Sequence, residues 1–96
     1  MNLKLLKIII RMEEKKLIEQ AQAGDKKALA ELVKNYEQTI YNFAFKICSD
    51  KNYAEQIMQE TFYSMVKSLH QFDHNSKLST WLYRIVSNHC LMMARK

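Results

Sequence analysis

Proline is absent from this 96-residue chain, and glycine occurs once, at Gly24. Sheets rely on such residues at their turns, so their scarcity argues against a strand-rich fold and for an all-helical one. Only two cysteines are present, Cys48 and Cys90, far apart and with no CxxC pair. They do not make a disulfide framework, and the expectation is two reduced thiols on apolar helical faces of a cytoplasmic protein. No long hydrophobic run exists. The opening MNLKLLKIIIR is interrupted by Lys4 and Lys7, falls well short of the roughly 20 residues of a membrane span, and lacks a small-residue cleavage site. Membrane insertion is therefore not expected. Met12, followed by a charged run and a regular helical pattern, is an alternative start.

Catalytic signatures are missing too. The sequence has no nucleophile elbow, no HExxH, no glycine-rich phosphate loop and no carboxylate pair at useful helical spacing. His70 and His74 are four apart, but the helical pattern lapses between them, which leaves a poor metal site. A non-enzyme without cofactor or metal is expected.

What is present fits one small helical domain. Apolar residues make up 48% of the chain and the net charge is +5, a balance that favours an anionic partner. The charge is unevenly spread: the segments 1–16 and 73–96 are basic, whereas 50–62 is slightly acidic. A first helix is predicted from near Glu13 to Ala23, closed by Gly24 in a left-handed C-terminal position, with Asp25 capping the next. Leu29, Leu32, Val33, Tyr36, Ile40, Phe43, Ala44 and Ile47 then recur at amphipathic-helix spacing. Ser49 or Asp50 is expected to separate this helix from a third, whose apolar stripe is Ala54, Ile57, Met58, Met65, Val66 and Leu69. After a loop at 72–77, Ser76 or Ser79 opens a fourth helix with Leu78, Leu82, Ile85, Val86 and Met93 inward. Arg95 and Lys96 are expected near its end, where the helix dipole favours cations. The architecture expected is a compact four-helix bundle.

Two constellations carry chemistry. Gln56, Gln59 and Glu60 make a polar run on the third helix: a solvated face, or a surface that docks a basic helix of a partner. The stretch FDHNSKLSTWLYRIVSN combines an aromatic (Phe72), a cation (Arg84) and an amide (Asn88), the groups that stack on bases, pair with phosphate and read base edges in single strands. Tyr83 and Arg84 lie off the apolar stripe and are candidates to face a ligand, Trp81 is read as a core anchor, and Phe72, at the mouth of a loop, is either a core plug or a stacking platform.

On these residues the chain resembles the second conserved region of bacterial RNA polymerase sigma factors of the extracytoplasmic-function group. The opening helices (LIEQAQAGDKKALAELVKNYEQTIYNFAFKI), the polymerase-binding helix (AEQIMQETFYSMVKSLHQFD) and the promoter-melting helix (LSTWLYRIVSNHCLMMARK) each match, from Leu17 to Lys96. The resemblance implies that Gln59 and Glu60, with Gln56 beside them, dock on the beta-prime clamp helices of core RNA polymerase. It implies that Phe72 and Asn88 form a pocket for a base flipped from the non-template strand of the minus-ten element, with Arg84 on backbone phosphate. An anti-sigma factor is a further implied partner. Two positions depart from the family pattern, which usually has Asp at Gln56 and at Met92. The later domain that the resemblance implies, binding the minus-thirty-five element, is not among these 96 residues, and the sequence is expected to be a fragment or a short protein, with 1–12 an extension to a 13–96 domain. A competing reading keeps the fold but assigns a protein-interaction module that binds an anti-sigma factor and never engages DNA.

Overall fold

The computed structural model of the chain describes residues 2–94. Four helices are found, α1 (Leu3–Gln22), α2 (Lys26–Cys48), α3 (Lys51–Ser68) and α4 (Leu78–Ala94), with a short 3-10 turn, Leu69–Gln71, after α3. No strand occurs among the described residues. The fold is all-α, as the missing turn residues require.

The chain divides into two units, the first ending at Lys34 and the second beginning at Asn35, so the boundary falls within α2. In the first unit, α1 begins ten residues before its expected start at Glu13. The Asn2 side chain accepts from the Lys4 amide at 2.9 Å and caps it, and no helix-breaking residue interrupts the run onward to Glu13. Gly24 sits at φ +101°. There the Gly24 amide donates to Ala21 O at 3.1 Å and the Asp25 amide to Gln20 O at 3.0 Å, the paired bonds of a Schellman ending. Asp25 Oδ1 then accepts from the amides of Lys27 and Ala28 and starts α2. Ile18, Ala28 and Leu32 are the buried apolar side chains described in this unit.

The second unit is built on the packing of α3 against α4. Ala54, Ile57, Met65 and Leu69 face Leu78, Leu82, Val86 and Cys90 as its buried apolar residues, joined by Ile40 and Ala44 of α2. Asp50 caps α3 by accepting from the Asn52 amide at 2.8 Å, and Ser49 makes the turn at φ +56°. Three details depart from the expected pattern. Val66 is 52% exposed, whereas Thr61, polar and outside the predicted stripe, is fully buried; position 61 lies one turn after Ile57 and one before Met65 on the same face. Ser76 donates to the Lys77 carbonyl and Ser79 lies inside the first turn of α4. The expectation for Arg95 and Lys96 lies outside the described residues.

The cysteines require a correction. Cys48 and Cys90 are joined in a disulfide, with Cα atoms 5.3 Å apart and the two residues 42 positions apart in sequence. Nothing in their spacing announces this. The two residues meet because α2 ends where the last turns of α4 pass, and the Cα separation is one that a bridge spans without backbone movement.

Candidate nucleic-acid and polymerase interface

Both polar constellations lie in the second unit. On α3, Gln56 and Gln59 are exposed and Glu60 is half-buried. Gln56 Nε2 donates to Glu60 Oε1 at 3.3 Å across one helical turn. The other carboxylate oxygen, Oε2, lies 3.5 Å from His89 Nδ1 on α4, and His89 Nε2 lies 3.0 Å from Ser64 Oγ. The two ring nitrogens thus each face a polar side chain of α3, and the direction of the Ser64 contact follows the ring's tautomer. The imidazole thereby ties the polar face of α3 to α4. His89 was not among the residues singled out from sequence; its partners are 25 and 29 positions away, so only the packing of the two helices reveals it.

Acid, imidazole and serine follow one another as in hydrolases, but a hydrolase also needs free donors for an oxyanion. Ser64 stands deep inside α3, where the neighbouring backbone amides are spent on helical bonds. The relay holds the helices in register and offers no such donors from the backbone around the serine.

Next to this relay an open cleft of about 350 Å³ lies between α3, the 3-10 turn and α4, lined by Ser64, Ser68, Gln71, Trp81, Ile85, Asn88 and His89. Its walls combine an indole, an exposed amide (Asn88) and hydroxyl groups, so a planar group entering it meets a stacking face and hydrogen-bonding edges together. The size is at the low end for small-ligand pockets.

The two aromatic rings of this region differ in burial. Phe72 is only 5% exposed, and its ring packs on Trp81 at 5.5 Å and His74 at 4.9 Å between centroids. Trp81, expected as a core anchor, is half-buried and lines the cleft. The reason is local. Phe72 leaves the 3-10 turn extended, with its amide bonded to Leu69 O, so its ring turns under α4. The loop beyond is held by Asp73, which accepts from the Asn75 amide and side chain at 3.0 and 2.8 Å, with His74 at φ +65°.

Tyr83 and Arg84 are both exposed, and the Tyr83 ring meets Phe43 of α2 edge-on at 5.1 Å. Asn88 is thus brought to the cleft, Gln56, Gln59 and Glu60 to the adjoining face of α3, and Tyr83 and Arg84 to solvent, with Phe72 beneath the indole.

This is the arrangement of a helical domain that offers one polar helix face and one aromatic–amide cleft. The family model described as Sigma-70 region 2 matches residues 32–96, and the chain belongs to that family. It is 38% identical over 87 residues to the ECF RNA polymerase sigma factor SigW of Bacillus subtilis, covering 91% of this chain and 46% of the relative. It is 32% identical over 81 residues to the RNA polymerase sigma-H factor of Pseudomonas aeruginosa, covering 84% and 42%. The chain thus spans less than half the length of these relatives. Among solved structures, an engineered region 2 of sigmaE, determined by NMR in complex with GTAAAA, matches with a TM-score of 0.76 at 32% identity over 84% of each chain.

Proposed function

We propose that this domain acts in transcription initiation as the region 2 module of an extracytoplasmic-function sigma factor, working in the cytoplasm as a binding component rather than a catalyst. Gln56, Gln59 and Glu60 dock on the clamp helices of core RNA polymerase. The cleft between α3 and α4 captures an unpaired base of the non-template minus-ten strand. The observation that carries this reading is the Asn88 cleft, on a chain 32% identical to a region 2 bound to GTAAAA.

In the mechanism, Trp81 supplies the stacking face and Asn88 the base-edge hydrogen bonds. Phe72 fixes the indole from below, and Arg84, with Tyr83 beside it, lies where backbone phosphate passes. Extruding a base costs a few kcal/mol, and stacking with edge contacts offsets that only when the pocket is held in advance. The Glu60–His89–Ser64 relay and the Phe72 packing supply that rigidity.

The test separates the two surfaces. Asn88→Ala is expected to weaken binding of a GTAAAA single strand about tenfold, the worth of one or two edge hydrogen bonds, and to leave association with core polymerase unchanged. Gln59→Ala, exposed on α3 and outside the relay, is expected to do the reverse. Equal loss of both activities in both variants contradicts the division.

A second reading is favoured by Leu91 and Met92, 53% and 61% exposed on α4, the latter at a position where the family usually carries Asp. An apolar pair there suits a protein partner such as an anti-sigma factor. Retention by an anti-sigma factor with no association with core polymerase would favour that reading.

A further inference from the structure

The first half of α1 takes no part in either surface. From Leu3 to Met12 its large apolar side chains are all between 39% and 66% exposed. Lys4, Lys7 and Arg11, also exposed, are spaced three and four apart and form a single stripe along the helix. At about 100° per residue the apolar side chains fill roughly 220° of the circumference, and the three cations fill a band of about 60° within the remainder. No acidic residue occurs before Glu13. The segment is about 15 Å long at 1.5 Å per residue, and no helix among the described residues is long and apolar enough to cross a membrane.

We propose that residues 3–12 form a peripheral membrane-binding helix that lies in the interface of a bilayer containing anionic head groups. Packing against a single partner helix wets most of such a face, because a helix–helix seam covers only a narrow stripe. A lipid boundary accepts the whole arc. The cationic band is then left toward water, where Lys4, Lys7 and Arg11 extend their aliphatic stems to reach lipid phosphate. Glu13 and Glu14 follow directly and end the segment that an anionic surface tolerates. A second copy of this chain would present the same wide arc, and two such helices packed together again cover only a narrow stripe of it. The inference is independent of the promoter-binding reading, since it uses none of the residues of the α3–α4 face.

Cosedimentation of the full chain with vesicles tests it. Partitioning is expected to be at least about tenfold stronger on phosphatidylglycerol than on phosphatidylcholine vesicles, and to fall with added salt. Leu6→Glu with Ile9→Glu should abolish it. Replacing Lys4, Lys7 and Arg11 by Gln, which preserves the apolar arc, should lower the partition coefficient about fivefold per cation and erase the lipid preference. Circular dichroism and thermal melts of each variant confirm that the domain remains folded. Absence of vesicle binding, or binding unchanged in both variants, overturns the proposal. So does a concentration-dependent dimer that the two glutamates abolish without any vesicle binding, which assigns the face to a second copy.

Discussion

The first half of α1 and the stretch of α4 from Leu78 to Cys90 are both rich in aliphatic side chains, yet they use them in opposite ways. On α4, Leu78, Leu82, Val86 and Cys90 are buried along one stripe, and the side chains between them, Tyr83, Arg84 and Asn88, are left exposed. On α1, the aliphatic residues surround most of the helix and every large one from Leu3 to Met12 is exposed. A narrow stripe makes a helix a structural element of a small core and frees the opposite side for chemistry. A wide arc cannot be satisfied that way, because one neighbouring helix covers too little of it. The comparison separates apolar residues that fold this domain from apolar residues that wait for another phase.

Four perturbations of stability sharpen that contrast, beginning with the largest effect set beside its exposed control. Phe72→Ala should cost about 3–5 kcal/mol in denaturant unfolding, the usual loss for a buried aromatic. Leu6→Ala, at an exposed position, should stay within about 0.5 kcal/mol; comparable losses would show that the first half of α1 is packed after all. Reduction of the Cys48–Cys90 bridge comes next. Opening a loop of this length should lower stability by about 2–4 kcal/mol, read as the difference between melts with and without reductant; identical melts of a chain shown by mass to be oxidised would refute it. A smaller effect, of opposite sign, is expected at Thr61, whose buried hydroxyl has no hydrogen-bond partner. Thr61→Val keeps the shape and removes an unsatisfied group, so a gain of about 1 kcal/mol is expected, and a loss would reveal a partner for the hydroxyl.

Much of this was legible in the sequence because it is local. Gly24, Asp25 and Asp50 announce their turns by residue type, and the stripes of α2 and α4 repeat at helical spacing. The family motifs likewise lie in short runs. What escaped is non-local. The disulfide, the burial of Thr61 and the His89 relay all depend on which helix lies alongside, and periodicity within one helix carries no trace of its neighbour. The burial of Phe72 and the half-exposure of Trp81 have the same origin. Both are large aromatics near a loop, and only the extended exit of Phe72 from the 3-10 turn puts it under α4 and leaves the indole at the cleft. The early start of α1 was missed for another reason: the apolar arc of residues 3–12 is too wide to show the narrow stripe by which a packed helix is recognised.

Because Trp81 is the single tryptophan of the chain, its fluorescence reports directly on the cleft. Titration with single-stranded GTAAAA should quench or shift that emission with the same midpoint as binding measured by anisotropy, and Asn88→Ala should move both midpoints together. A strand that binds at full affinity while the emission of Trp81 stays unchanged would contradict base capture in the α3–α4 cleft.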